Sequence, residues 1–253
     1  MITAVKVASF GLFIKLVLLI FSYALSYWID ILAYISIFTM FVGNLFAFTQ
    51  ENIKKMLAYS SISHTGYLLI GLSILMINKN DYSLTNSLLF YLVSYSISSL
   101  GIFACISYIS SRNEKYSNIE DYSGIGFKYP LIGITMTIFM LSLVGFPPTA
   151  GFFAKYYLFS SAIKEGMAYL VLIAIINSIL SIYYYLRVIS VMYLKDYKTS
   201  IDTDLGRTST KLAMLYTAIA TIWLGIGTFN LASIFPGFTS IIEWSELSIK
   251  SLF

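Results

Sequence analysis

A chain of 253 residues with 58% hydrophobic and 11% charged side chains departs from the composition of soluble domains, where about a quarter of residues are charged. The net charge of +4 comes from 16 basic and 12 acidic residues, most of them between apolar runs, which points to membrane topology and argues against nucleic-acid binding. A single cysteine, Cys105, and a single histidine, His64, argue against a disulfide framework or a metal cluster, so any redox centre is expected in another polypeptide.

Seven apolar runs are predicted to span a bilayer, at about 3–25, 30–49, 54–76, 84–110, 130–163, 167–193 and 211–235, because about 20 helical residues cross a hydrocarbon core about 30 Å thick. The predicted class is therefore an all-α polytopic membrane protein. The first run is read as a retained span rather than a secretory signal, since it lacks a basic n-region and is interrupted by Lys6 and Lys15. Those two lysines are spaced to occupy opposite faces of a helix.

In the third run, His64 lies about 15 Å along a helix from Lys54, near the midplane. Hydroxyls surround it in the stretch Tyr59-Ser60-Ser61-Ile62-Ser63-His64-Thr65-Gly66-Tyr67. An imidazole there suits proton exchange. The alternative, serines bonding their own helix and a histidine that only packs, has equal weight at this point.

The fifth run is long enough, at 34 residues, to make a helix of about 50 Å. It must tilt or break, and the break is expected at Gly145-Phe146-Pro147-Pro148-Thr149, because two successive prolines remove two backbone donors and clash with the preceding turn. The carbonyls freed near Leu143 and Val144 cannot be satisfied by lipid, so the break should be buried in protein or line a hydrated cavity. Lys155 follows within the membrane, where a lysine costs about 2.5–3.5 kcal/mol to insert and marks a functional site. Snorkelling to an interface is the lesser reading.

Arg187, near the end of the sixth run, is read as structural, as is Lys15. Ser123-Gly124-Ile125-Gly126 is read as a turn. Connections on the side of the N-terminus carry Lys54, Lys55, Arg112, Lys115, Lys128, Lys195, Lys198 and Arg207, against Lys79 and Lys164 on the other side. This bias places the N-terminus in the negative compartment. The tail 236–253, with Trp244, is expected to form an interfacial helix or a disordered end.

Three stretches resemble one family: Asn52 to Tyr67, Gly145 to Lys155, and Asn177-Ser178-Ile179-Leu180-Ser181-Ile182-Tyr183-Tyr184-Tyr185-Leu186-Arg187-Val188. They are similar to the antiporter-like subunits of proton-pumping NADH:quinone oxidoreductase, respiratory complex I. The triple tyrosine and the tyrosines after Lys155 resemble the N-type group, subunit 2 in mitochondria. The resemblance implies two inverted five-helix repeats in a complete member, each with a broken helix and a buried lysine. It further implies that Lys155 is the broken-helix lysine of the second repeat, His64 the histidine of the central polar axis, and Lys6 the lysine bridging the repeats. Residues 1–25 would be the bridging helix, 30–193 the second repeat, and 194–253 a loop, last span and tail.

The first repeat has no counterpart in this sequence, and a separately made chain carrying that N-terminal half is expected to pack against the Lys6 face of the first span. The implied function is proton translocation coupled to NADH:ubiquinone oxidoreduction, with no cofactor in this chain and with flavin, iron-sulfur clusters and quinone in other membrane-complex subunits. The alternatives are a subunit of a multi-subunit sodium/proton antiporter and a non-conducting structural subunit. The implied location is the mitochondrial inner membrane, or alternatively a bacterial plasma membrane.

Overall fold

The computed structural model describes residues 2–19, 25–78, 81–109, 117–197 and 208–227. The helices are α1 (Ile2–Leu19), α2 (Leu25–Phe48), α3 (Ile53–Ile77), α4 (Tyr82–Ile109), α5 (Ile125–Lys128), α6 (Pro130–Val144), α7 (Ala150–Lys164), α8 (Ala168–Leu194) and α9 (Thr208–Ile226). A four-residue 3-10 turn at Ile119–Tyr122 and one isolated bridge between Asn52 and Asn118 complete the regular structure among the described residues.

Five helices, α2, α3, α4, α8 and α9, are each long and apolar enough to cross a membrane. On α2, apolar side chains face both ways: Leu32, Ala33 and Met40 are buried while Tyr34, Phe38 and Leu45 are exposed. A helix apolar all round belongs in lipid or in a large core. The axis of the bundle is α3, 83% buried over its apolar window against 22% for α9. Small residues let α2 approach it closely. A Cβ on Gly43 would collide with the backbone of Tyr59 and Ser63, and one on Gly66 with Met40 and the Ser36 carbonyl.

The corner between α2 and α3 is fastened at both ends. Asn52 accepts from the amides of Lys54 and Lys55 at the start of α3. Ile53 N–H donates to the Ser117 carbonyl, and Ile119 N–H to that of Glu51, each at 2.9 Å. Gly124, at φ +69°, makes the expected turn and leads into α5.

The predicted fifth span is two helices of 15 residues each. Gly145, at φ +89°, ends α6 with its N–H on the carbonyls of Leu141 and Ser142, and Phe146 N–H returns to Leu141. The Pro147-Pro148 peptide is cis. Thr149 restarts the chain through bonds to the Phe146 carbonyl. The freed carbonyls of Leu143 and Val144 turn inward, as expected, while the side chains of Phe146, Pro147 and Pro148 are exposed on the surface of this chain. Lys79, Arg112, Lys115, Lys198, Arg207 and the tail with Trp244 lie outside the described residues.

Candidate functional site

Lys155 lies in the second turn of α7, and its side chain runs back toward the start of that helix, as helical side chains do. It passes over Gly145, where a Cβ would meet Lys155 Cδ at 3.0 Å. Its ammonium donates to the Val144 carbonyl at 2.7 Å, the Leu143 carbonyl at 3.2 Å and Ser178 Oγ at 2.8 Å. These three acceptors match the three hydrogens of a protonated amine. The residue is 7% exposed, so the snorkelling alternative does not describe it. The break in α6–α7 thus supplies acceptors that an unbroken helix would spend on its own amides.

His64 projects from α3 among tyrosines contributed by α4 and α8. Its Nδ1 is 2.7 Å from Tyr91 Oη and its Nε2 is 3.3 Å from Tyr185 Oη. A phenol hydroxyl both donates and accepts, so either imidazole tautomer is satisfied. The Tyr95 ring stands 4.9 Å from the imidazole, and Tyr67 meets it edge-on at 5.7 Å. The Tyr67 ring is also 5.1 Å from Lys155 Nζ. The Tyr67 ring therefore stands against both the histidine and the lysine.

Lys6 turns toward the same helix. Its Nζ donates to the Ser61 carbonyl at 2.5 Å and Ser61 Oγ at 2.7 Å, with Tyr95 Oη at 3.4 Å and the Tyr95 ring centroid at 4.5 Å. The face of α1 on which a separate chain is expected is, at Lys6, already partnered within this chain. The hydroxyls that hold Lys6 come from α3 and α4, far along the chain. Lys15, on the other face of α1, is exposed.

Ser61, His64 and Tyr67 occur at three-residue intervals on α3, so successive turns serve Lys6, the tyrosine cage and Lys155, with about 4.5 Å of rise per step. A second polar cluster joins α2 to α8. Asn44 Nδ2 donates to the carbonyl and Oδ1 of Asn177 at 2.9 and 3.1 Å, and Tyr184 Oη donates to Asn44 Oδ1 at 3.1 Å. Arg187 Nη1 donates to the Gln50 carbonyl at 3.4 Å, in keeping with a structural role.

Sequence reasoning did not single out Tyr91, Tyr95, Ser178 or Asn44. A signal existed for α4, where Ser87, Tyr91, Ser94, Tyr95 and Ser98 recur at three- and four-residue spacing.

The profile of the family described as NADH:quinone oxidoreductase/Mrp antiporter, TM, matches residues 1–181. NADH-quinone oxidoreductase subunit N of Trichlorobacter lovleyi is 41% identical over 221 residues, 87% of this chain and 44% of that protein. The chloroplastic NAD(P)H-quinone oxidoreductase subunit 2 of Chaetosphaeridium globosum is 39% identical over 88% of this chain and 45% of its own length. A structure of respiratory complex I from Thermus thermophilus with bound aureothin superposes with a TM-score of 0.67 at 30% identity, covering 80% of this chain and 44% of that one. The Mrp complex from Dietzia sp. shares the fold, with a TM-score of 0.69 at 20% identity. The chain spans just under half the length of these relatives. The profile match and the subunit N relatives show that this chain belongs to the NADH:quinone oxidoreductase/Mrp antiporter transmembrane family.

Proposed function

We infer that this chain is the second antiporter-like repeat of an N-type, proton-translocating subunit in the membrane arm of NADH:quinone oxidoreductase. One observation carries the reading. Lys6, His64 and Lys155 are arrayed along successive turns of α3 and are linked by hydroxyls and rings at hydrogen-bonding or contact distance. Buried lysines with only neutral oxygens as partners can be loaded and unloaded with protons, and hydroxyls between titratable groups give the proton places to pass. In this reading Lys155 is the storage site, His64 the central station and Lys6 the junction to the first repeat.

Flavin, iron-sulfur clusters and quinone would reside in other subunits, whose electron transfer drives the protonation changes. The other membrane-arm subunits are the proposed partners. A separate chain carrying the first repeat would cover the outer face of α1, where Val5 and Leu12 are 61% and 60% exposed. The exposed Lys54, Lys55, Lys128 and Lys195 sit at one end of the bundle, which supports an N-terminus on the matrix or cytoplasmic side. A mitochondrial inner membrane fits the composition, and a bacterial plasma membrane is the alternative. The sodium/proton antiporter reading is supported by the family profile, which covers both groups, and by fold at 20% identity, whereas subunit N relatives match at 41% identity.

The test is Lys155→Met in the intact complex, which removes the titratable group at similar volume. Proton translocation per NADH oxidised should fall while the complex still assembles. An unchanged ratio would leave the non-conducting structural reading in its place.

A further inference from the structure

We propose that Asn44 of α2 is a positioning residue for the ammonium of Lys155, acting through the Asn177–Ser178 peptide of α8. The inference rests on the proton-relay reading for what the lysine does. It adds a residue from a helix that supplies none of the lysine's three acceptors.

Of those acceptors only Ser178 is a side chain, with its Oγ 2.8 Å from Nζ. The two carbonyls belong to Leu143 and Val144 and are placed by the end of α6. Ser178 is placed by α8, so whatever fixes α8 sideways fixes the third bond. The preceding residue, Asn177, meets α2, as adjacent helical residues face about 100° apart. Asn44 Nδ2 donates to the Asn177 carbonyl at 2.9 Å. That carbonyl and the Ser178 nitrogen are the two ends of one planar peptide unit, so the bond from α2 lands on the backbone that carries Ser178.

Buried amides often do no more than join membrane helices, and one side-chain bond suffices for that. Here both ends of each amide are engaged. Asn44 Nδ2 also reaches Asn177 Oδ1 at 3.1 Å, and Asn177 Nδ2 donates to the Ile173 carbonyl at 3.0 Å. Tyr184 Oη donates to Asn44 Oδ1 at 3.1 Å. Tyr184 follows Asn177 by seven residues, two turns along the same face, so α8 grips the Asn44 amide from both sides. A phenol donating to Oδ1 leaves Nδ2 for the Asn177 carbonyl, which fixes the way the amide lies. Ser181 Oγ bonds the Ser178 carbonyl at 2.6 Å within the same turn. Asn44 and Asn177 are 3% and 0% exposed, closed to lipid and solvent.

Asn44→Leu keeps the volume of the side chain and removes the grip. The Asn177–Ser178 peptide can then slide along α2, and a shift of about half an ångström carries a 2.8 Å bond out of the usual range. The ammonium would keep only the two α6 carbonyls. Asn44 touches neither the lysine nor its proton, and its whole effect on the relay passes through Ser178.

The experiment is a double-mutant cycle of Asn44→Leu and Ser178→Ala in the intact complex, read by the rate of proton translocation and by melting temperature, with a high-resolution structure of the Asn44→Leu complex. Ser178→Ala should slow translocation about tenfold, the factor for a hydrogen bond to a charged group, and Asn44→Leu about fivefold, the factor for an ordinary one. In the Ser178→Ala background Asn44→Leu should lower the melting temperature but slow translocation no further, because a residue that acts through another is silent once that other is gone. Equal slowing in both backgrounds, or a wild-type rate in Ser178→Ala, would overturn the proposal and leave Asn44 a joint between helices. Tyr184→Phe, which frees one end of the Asn44 amide, should show a smaller loss with the same silence, and it replaces Asn44→Leu in rate and structure alike should that variant fail to assemble. In the variant structure Ser178 Oγ should have moved off Lys155 Nζ; an unchanged 2.8 Å bond would overturn the proposal whatever Lys155→Met does. Should Lys155→Met translocate normally while that bond opens, the relay reading fails and the positioning by Asn44 stands.

Discussion

Replacing Gly145 by alanine separates the backbone cost of the helix break from its effect on the lysine. At φ +89° the residue is in the left-handed region, which costs an L-amino acid about 1–2 kcal/mol. The new Cβ would also meet Lys155 Cδ at 3.0 Å and Nζ at 3.6 Å, so the lysine stem must move by a few tenths of an ångström. That displacement strains the 2.7 Å bond to Val144. A hydrogen bond to a charged group contributes about 1.5–3 kcal/mol, and forfeiting half of it leaves a total loss near 2–3 kcal/mol. The backbone share should lower the unfolding temperature of the assembled complex. The lysine share, about 1 kcal/mol, corresponds to roughly fivefold in the rate of proton translocation. Gly11→Ala is the control, because nothing lies within 4 Å of its Cβ and the site is ordinary helix; there a small gain of up to about 1 kcal/mol is expected. A Gly145→Ala complex that loses stability but translocates protons at the wild-type rate would refute the claim that this glycine positions Lys155.

Tyr91→Phe removes the 2.7 Å partner of His64 Nδ1 and should reduce translocation several-fold with little change in assembly, measured as the proton-to-NADH ratio. Asn44→Leu removes a partner of Tyr184 Oη and leaves Asn177 Oδ1 without its Asn44 donor in the α2–α8 interface, and at about 1–3 kcal/mol for an orphaned group the complex should melt at lower temperature. Lys195→Ala breaks the 2.6 Å pair with Glu120, whose side chains are 46% and 55% exposed; a loss under about 1 kcal/mol is expected, and a larger drop in unfolding temperature would contradict the assignment of that pair to solvent. Lys155→Arg keeps a permanent charge, so translocation should fall even though binding to the α6 carbonyls is preserved.

The helices and the break were legible because their causes are local. Apolar length defines the spans, and Pro147 and Pro148 interrupt the fifth one whatever surrounds it. The depth of Lys155 followed from its place seven residues after the second proline. The partners of the site were not legible, because they are tertiary. Ser178 reaches Lys155 from α8, Tyr91 reaches His64 from α4, and Tyr95 and Ser61 reach Lys6 across 89 and 55 positions. The partners of Lys6 were hidden for the same reason, since Ser61 and Tyr95 come near it only in space. The triple tyrosine served as a family marker in the sequence. Its parts diverge in the fold, with Tyr183 exposed, Tyr184 on Asn44 and Tyr185 on His64.

The ammonium of Lys155 also bears on how α6 is held. A helix ends in carbonyls that carry the negative pole of its dipole and need either donors or a cation. In α6 those of Leu141 and Ser142 are met by the amides of Gly145 and Phe146, while Leu143 and Val144 accept from Lys155, and Val144 also from Ser178 Oγ at 3.4 Å. The lysine is therefore the C-cap of the preceding half-helix, delivered from the following one. When Nζ gives up its proton, the cap loses its charge and one of its donors together, in surroundings where a bare carbonyl is costly. In the proposed relay, proton occupancy on α7 and the firmness of the end of α6 would become a single mechanical variable. The loop joining them presses the Pro148 carbonyl against Gly225 of α9 with no room for a side chain, so the end of that loop is tied directly to the outer helix of the bundle.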